Sequence, residues 1–294
     1  MNRSKFTLVS AMLIFGSVGL FVRSIPFTSS QIALVRGIIG GLFLFISSFV
    51  FSSRLSWPRI KSNLLLLIFS GLALGLNWIF LFQAYKYTTI SNATIGYYCA
   101  PIFVIFLAPI LLKERLHLHS VLSIVAAMVG MFLVVGIQGG SSGGTNILGI
   151  AYALLAASLY AAVILLNKFQ KNLTGLESSF MQLGISAVFL LPYVLLNEGF
   201  NLHDVSFNSV LLLLTVGVLH TGIAYLLYFS SIHKLKSQTA AAFSYIDPIS
   251  AILMSSILLH ESMTILQGFG AVLILGAAFL NEICSRKYIS AYEV

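Results

Sequence analysis

Arg36 and Asp247 are the two charged residues that lie inside long apolar segments of the chain. A charge at the centre of a lipid bilayer costs at least about 2.5–3.5 kcal/mol, so such residues normally face protein or a wet cavity. Asp247 lies nine residues into its segment, roughly 14 Å along a helix and near the midplane. It is either a proton carrier or counter-ion for a cationic substrate group, or part of a structural ion pair or a hydrogen-bonded contact between helices. Arg36 either pairs with Asp247, binds a substrate carboxylate or extends to the outer surface.

Neutral polar and aromatic groups in the middle of two further apolar segments are additional candidates for substrate binding. His220 is followed by Thr221 and, one turn later, by Tyr225. A histidine at this depth either relays protons near neutral pH or hydrogen-bonds a neighbouring helix. Asn77 and Trp78 belong to one helical stripe that lines a cavity, or else Asn77 hydrogen-bonds a neighbouring helix and Trp78 lies in the aromatic belt at the membrane interface.

Two Tyr-x-x-Pro motifs, Tyr98 to Pro101 and Tyr245 to Pro248, place a tyrosine about one helical turn before a proline. Each proline removes a backbone hydrogen bond and predicts a loosened helix with a gating or structural role. Tyr98 and Tyr245 are candidates for substrate binding. On an ideal helix Tyr245 and Asp247 point about 200° apart, so we rank Asp247 above Tyr245 as a cavity residue.

The composition defines the surroundings in which these residues must work. Hydrophobic residues make up 59% of the 294 residues, charged residues 8%, and the mean hydropathy is +1.00. A soluble domain carries about 25% charged residues, so the solvent of this chain must be lipid. The two cysteines, Cys99 and Cys284, supply neither a disulfide framework nor a metal cluster. We therefore predict no metal site and no cofactor.

Long apolar segments follow one another along the whole chain, with short connections between them. A helix needs about 20 apolar residues to cross a bilayer, and the sequence predicts an all-α polytopic membrane protein with ten transmembrane helices. These are expected over residues 6–22, 31–51, 62–83, 90–112, 118–137, 147–167, 178–196, 208–229, 238–259 and 264–281.

The basic residues predict the orientation of these helices. With the N-terminus in the cytoplasm, thirteen Lys and Arg residues fall on the inside, whereas only Arg23 and Lys86 fall on the outside. This bias follows the positive-inside rule. It predicts that both termini are cytoplasmic and that the protein is a multi-pass protein of the cytoplasmic membrane. The net charge of +8 is therefore a topology signal and not evidence of binding to nucleic acid.

The chain partly repeats itself after a shift of 147 residues, which aligns Tyr98 with Tyr245 and Glu114 with Glu261. We predict two five-helix repeats, residues 1–140 and 147–294, joined by a Gly/Ser-rich linker at 141–146. Because five is odd, the second repeat enters the membrane from the opposite side, and the repeats are inverted. Many secondary transporters are built in this way, with the substrate site at the repeat interface.

Glu114 and Glu261 each follow the fourth helix of a repeat, where an acidic side chain is suited to capping a neighbouring helix N-terminus. We expect these two residues to have a structural or gating role. The motif Gly37-x-x-x-Gly41 allows close helix packing and is compatible with a homodimer.

These motifs resemble the EamA-type members of the drug/metabolite transporter superfamily. The resemblance covers the whole chain and is most specific at the end of each repeat. There, Tyr98-x-x-Pro101 leads into Leu111-Leu112-Lys113-Glu114-Arg115, and Tyr245-x-x-Pro248 leads into Leu258-Leu259-His260-Glu261. It implies a gradient-linked carrier, often an exporter, with a central cavity lined by the first four helices of each half.

The sequence and the resemblance together predict a secondary transporter of a small metabolite. Two buried charges of opposite sign beside aromatic residues suit an amino acid or a related zwitterion, whereas the sparse charge also fits a neutral metabolite or an amphipathic drug. We expect export by alternating access, with Asp247 and His220 as candidates for proton coupling. Its predicted partners are this small-molecule substrate and the lipid bilayer. An integral membrane enzyme, such as a transferase, and a non-transporting membrane partner protein are the alternatives.

Overall fold

The computed structural model describes residues 2–50, 55–111, 118–135, 143–199, 206–232, 243 and 246–292, which form helices and short connections. The α-helices are α1 (Asn2–Arg23), α2 (Ser29–Val50), α3 (Trp57–Ser62), α4 (Leu64–Tyr87), α5 (Ile90–Tyr97), α6 (Ala100–Leu111), α7 (Leu118–Val135), α8 (Gly143–Phe169), α9 (Gly175–Tyr193), α10 (Phe207–Thr215), α11 (Ala224–Ile232), α12 (Ile246–Leu258) and α13 (Ile265–Tyr292). Turns of π-helix extend α9 through Val194–Glu198 and join α10 to α11 through Val216–Ile223.

Several helices have the length and composition needed to cross a membrane. Within the described ranges six apolar spans satisfy both criteria: Arg3–Arg23, Ser29–Phe49, Leu64–Tyr87, Gly144–Phe169, Gly175–Glu198 and Phe207–Tyr228. Shorter apolar helices cover Val121–Gly130, Ile246–Leu258 and Ile265–Ala277. Large apolar side chains on the outer faces are exposed, for example Leu196 at 84% and Phe207 at 80%. Lipid accepts such a surface, so the molecule is an all-helical, multi-pass membrane protein.

The single helix expected over 90–112 is divided into two in the structure. Thr89 caps the start of α5 by accepting a hydrogen bond from the Asn92 N–H (3.1 Å), but α5 ends at Tyr97 and α6 begins at Ala100. The cause is Pro101, which has no N–H to donate to the Tyr97 carbonyl. The expectation of one continuous helix in this segment was therefore wrong, and the break leaves Tyr98 between two helices.

The rod formed by α10, the π-helical turns and α11 lies against α2. Its side-chain contacts follow the wider spacing of a π-helix, since Thr221 Oγ1 donates to the Val216 carbonyl five residues earlier (3.2 Å). Gly40 on α2 allows close approach, because a Cβ at this position would lie 2.8 Å from the Thr221 Cβ. Turns of π-helix are rare and often occur at functional sites.

Close approaches at glycine also fix other helix pairs. Helix α1 packs on α12 at Gly16, where a Cβ would lie 2.6 Å from the Asp247 carbonyl oxygen. Gly37 and Gly41 face Leu183 on α9 of the same chain, with Cβ positions 3.4 and 3.8 Å from its nearest atoms. The Gly37-x-x-x-Gly41 motif is therefore used for packing within the chain and gives no support to a homodimer contact.

Candidate functional site

A cavity of about 140 Å³ lies among helices α1, α2, α4, α5, α8, α11 and α12. Its volume is close to the ~150 Å³ of an engineered cavity that binds benzene, so it has room for a small molecule. Its lining combines a cation, an anion and a wall of aromatic rings. The lining residues are Phe15, Gly16, Val18, Arg36, Leu74, Trp78, Leu81, Tyr85, Thr94, Tyr97, Tyr98, Tyr160, Tyr225, Asp247 and Ala251.

Arg36 is buried, at 5% exposure, and does not extend to the outer surface. Its Nε donates a hydrogen bond to Thr221 Oγ1 (2.6 Å), and its guanidinium carbon lies 4.3 Å from the centroid of the Trp78 ring. A cation above an indole face is attracted by the ring quadrupole. In the part of the chain that the structure describes, neither terminal guanidinium nitrogen has a hydrogen-bond partner. Arg36 therefore presents two charged donors to the cavity.

Asp247 supplies the negative charge of the cavity from the first turn of α12. Its Oδ2 accepts a hydrogen bond from Tyr98 Oη (2.5 Å). Among the described residues the ion pairs are Arg23–Glu261 and Arg59–Glu177, so Asp247 and Arg36 line one cavity without pairing. Tyr98 reaches Asp247 from the break between α5 and α6, which is how the proline-induced interruption contributes to the site.

His220 and Asn77 lie beside the cavity and are not among its described lining residues. His220 is fully buried, and its Nε2 lies 2.9 Å from Ser17 Oγ while its Nδ1 faces the Thr215 carbonyl at 3.4 Å. Asn77 is also fully buried and donates from Nδ2 to the Ala156 carbonyl (2.6 Å), which joins α4 to α8. Both residues connect helices that line the cavity.

Glu261 caps a helix that is distant in sequence. Its carboxylate accepts hydrogen bonds from the backbone N–H groups of Ile90 (3.1 Å) and Ser91 (3.3 Å) in the first turn of α5, and it is paired with Arg23 at the end of α1. The segment that contains Glu261 is turned towards α5 by His260, whose φ is +52°. Glu261 thus ties together α1, α5 and the end of α12.

Of the remaining residues predicted from the sequence, some line the cavity, some lie at helix ends, and two fall outside the described residues. Trp78, Tyr98 and Tyr225 line the cavity together with Arg36 and Asp247. Pro248 is buried in the first turn of α12, and Pro101 lies in the first turn of α6. Tyr245 and Glu114 lie outside the described residues.

Sequence reasoning missed several residues of the site. Tyr97, Gly16 and Tyr160 are not among the predicted site residues, and all three line the cavity. Thr221 was noted only as a neighbour of His220, although its hydroxyl holds Arg36. The position of Tyr97 beside Tyr98 is the sequence signal that could have identified Tyr97. The contact between Arg36 and Thr221 joins residues 185 positions apart, so no local sequence pattern indicates it. The described residues contain no cluster of three or more His, Cys, Asp or Glu side chains suited to a metal ion.

Comparison with known proteins gives one consistent family. The model of the EamA-like transporter family matches residues 3–136 and again residues 147–282. The uncharacterized transporter YxxF of Bacillus subtilis (strain 168) is 30% identical over 93% of this chain and 88% of its own length. The uncharacterized inner membrane transporter YicL of Salmonella typhimurium is 25% identical over 97% of both chains. A solved crystal structure shares the fold, with a TM-score of 0.64 at 16% identity over 98% of this chain and 99% of that one.

The two matched segments cover most of the chain, and the relatives described above are named as transporters and not as enzymes. The chain therefore belongs to the EamA-like transporter family.

Proposed function

We propose that this protein is a secondary transporter of the cytoplasmic membrane that moves an amino acid, or a related zwitterion, by alternating access. The proposed architecture has ten membrane spans, two inverted repeats at residues 1–140 and 147–294 joined by a linker at 141–146, and both termini in the cytoplasm. The positive-inside distribution of Lys and Arg supports this orientation. The match of the family model to two successive segments supports the repeats.

The observation that carries the substrate assignment is the presence of unpaired charges of opposite sign in one cavity. Arg36 presents its two terminal nitrogens, and Asp247 has Oδ1 without a hydrogen-bond partner among the described residues. A zwitterion brings a carboxylate for Arg36 and an ammonium group for Asp247. Binding a ligand with only one of these groups leaves the other buried charge uncompensated, which is costly in a medium of low polarity.

The aromatic part of the lining supports a ligand with an apolar portion. Trp78 and Tyr225 from the predicted set, together with Tyr85, Tyr97 and Tyr160, offer ring faces for packing and hydroxyl groups for hydrogen bonds. The volume of about 140 Å³ suits a small amino acid in the conformation seen here.

The proposal includes export coupled to protons, with Asp247 and His220 as the proton-carrying groups. The hydrogen bonds of His220 accommodate two protonation states. Neutral His220 donates from Nδ1 to the Thr215 carbonyl and accepts at Nε2 from Ser17. The imidazolium form donates from both nitrogens, and Ser17 then donates to the Ile14 carbonyl, which lies 2.8 Å from its Oγ. Ser17 links this histidine to α1, a helix that lines the cavity.

Flux measurements in proteoliposomes test the function. The purified protein is reconstituted with an imposed pH gradient, and a panel of the twenty radiolabelled amino acids is assayed in both directions. We expect saturable, gradient-dependent flux of a subset, which Arg36→Ala and Asp247→Asn abolish. The exposed Lys61→Ala is the matched control for loss of a positive charge and should transport normally. Absence of flux for the whole panel overturns the substrate class, and unchanged flux in both site variants overturns the site.

Labelling of single cysteines tests the orientation. In a cysteine-free background, Ser62→Cys should react with a membrane-impermeant thiol reagent only from the cytoplasmic side, and Ser24→Cys only from the other side, because both positions are exposed. Labelling of both from one side contradicts the proposed topology.

A further inference from the structure

Thr221 holds the only nitrogen of the Arg36 guanidinium that has a hydrogen-bond partner among the described residues. We propose that Thr221 is a positioning residue that presets Arg36 for two-point binding of a substrate carboxylate, and that it thereby sets the preference for carboxylate-bearing substrates. This inference rests on the proposed function and deepens it. Thr221 is not among the described lining residues of the cavity, so it acts through Arg36.

The hydroxyl of Thr221 is oriented to accept from Arg36. Its proton goes to the Val216 carbonyl (3.2 Å), a contact across five residues in the π-helical turns. A hydroxyl has one proton and two lone pairs, so with the proton engaged, the oxygen accepts from Arg36 Nε (2.6 Å). Thr221 is fully buried, so bulk water does not compete for this contact.

The backbone around Thr221 fixes the position of its side chain. Gly40 lies one turn after Arg36 on α2, and a Cβ at Gly40 would come within 2.8 Å of the Thr221 Cβ. The helix that carries Arg36 and the rod that carries Thr221 are therefore in direct contact beside the hydrogen bond. The packing of α2 against the rod therefore holds in place the Thr221 oxygen that accepts the hydrogen bond from Arg36 Nε.

The Trp78 ring and the Thr221 hydroxyl make the two short contacts that position the guanidinium group, while the centroid of the Phe82 ring lies 5.7 Å from the guanidinium carbon. The Trp78 ring, 4.3 Å from the guanidinium carbon, supports one face, and Thr221 engages the Nε edge. The edge formed by the two terminal nitrogens then remains for a ligand. This edge matches the two oxygens of a carboxylate, which is the geometry of strong bidentate pairs. An Arg36 without its Nε anchor would have to be ordered by the substrate itself, at a cost in affinity.

The primary test compares Thr221→Val, which keeps the shape and removes the acceptor, with Thr221→Ser, which keeps the hydroxyl. The substrate is the amino acid of the panel that wild type transports fastest, assayed beside its carboxamide. We expect Thr221→Val to raise KM for the amino acid about tenfold, as expected for loss of one charge-assisted hydrogen bond, with little change in kcat. Discrimination against the carboxamide should fall by a similar factor. In Thr221→Ser, both the KM for the amino acid and the discrimination against the carboxamide should return to the wild-type values. Thr215→Val is the matched control, since Thr215 Oγ1 donates to the Leu211 carbonyl of its own helix (2.7 Å).

A binding measurement keeps the test independent of transport and of the behaviour of one variant. The chain has two tryptophans, Trp57 and Trp78, so Trp57→Phe leaves a single tryptophan, whose ring lies against Arg36. Titration of this protein in detergent with the same amino acid should change the Trp78 emission. The dissociation constant should rise about tenfold in Thr221→Val, and also rise in Thr221→Cys, whose sulfur is a weaker acceptor.

The outcomes separate this inference from the proposed function. If wild type binds and transports the amino acid and rejects the carboxamide, but Thr221→Val does the same with unchanged KM, the positioning role is overturned. An equal loss in Thr221→Ser and Thr221→Val also overturns it, because the effect then does not depend on the hydroxyl. If wild type handles the amino acid and the carboxamide equally, the zwitterion site itself fails, whatever the threonine variants do.

Discussion

Removal of the Glu261 side chain should destabilise the protein through the backbone of α5 more than through the ion pair with Arg23. Glu261 is 9% exposed and accepts from the N–H groups of Ile90 (3.1 Å) and Ser91 (3.3 Å). Thr89 satisfies the next N–H, that of Asn92. In Glu261→Ala the first two donors of α5 therefore lose their acceptor in a buried setting.

The expected magnitude follows from these contacts. A buried donor left without a partner costs about 1–3 kcal/mol, so Glu261→Ala should lower the free energy of unfolding by about 2–6 kcal/mol. The Arg23 side chain is 43% exposed, and ion pairs at such positions contribute about 0–1 kcal/mol. Arg23→Ala should therefore cost at most about 1 kcal/mol. Glu261→Gln keeps one acceptor oxygen but loses the charge at the helix N-terminus, and its loss should be intermediate, about 1–2 kcal/mol.

Thiol labelling of Cys99 provides the assay, because Cys99 is 6% exposed and lies just after α5. In a Cys284→Ser background in detergent, the rate at which Cys99 reacts reports the free energy of opening. The adjacent, exposed Ser262→Ala is the control. If Glu261→Ala opens no more readily than Arg23→Ala and Ser262→Ala, the capping role of Glu261 is refuted.

Three further changes test the packing, the turn before Glu261 and the cation of the cavity. Gly40→Ala should lower the free energy of unfolding by about 1–3 kcal/mol, because the added methyl group overpacks against Thr221. Gly268→Ala is the control and should not lower it, since nothing lies within 4 Å of the new Cβ. Equal thermal unfolding temperatures for the two variants would contradict the close contact at Gly40. His260→Gly should raise the free energy of unfolding by up to about 1 kcal/mol by relieving a φ of +52°, and a lower unfolding temperature would argue against strain there. Arg36→Lys keeps the charge but not the planar donor edge, so KM for the transported amino acid should rise about tenfold or more, and an unchanged KM would show that a point charge is sufficient.

The apolar segments and the isolated charges could be predicted because they depend on local composition. Lipid imposes a minimum length and hydrophobicity on each span, so the membrane class and the approximate helix positions follow from the sequence. The cost of burying a charge singles out Arg36 and Asp247 in the same way, and the structure places both on one cavity.

Features that depend on contacts between distant segments could not be predicted. The partner of Glu261 is the first turn of α5, some 170 residues earlier, and no periodicity in the sequence indicates that contact. The contact between Gly40 and Thr221 in the π-helical turns likewise joins residues far apart in the sequence. The break before Pro101 could have been predicted, because the missing N–H of proline is a property of the sequence.

The polar contacts around the cavity join the two segments that the family model matches separately. Arg36 and Tyr98 belong to the first segment, and their partners Thr221 and Asp247 belong to the second. A movement that separates the two segments at the cavity must break or rearrange the hydrogen bonds Arg36–Thr221 and Tyr98–Asp247. A ligand bound between Arg36 and Asp247 would then replace contacts within the protein by contacts that it supplies to each segment. Under the proposed function, the pair of charges that binds a zwitterion would in this way also make the movement of the two segments depend on whether the zwitterion is bound.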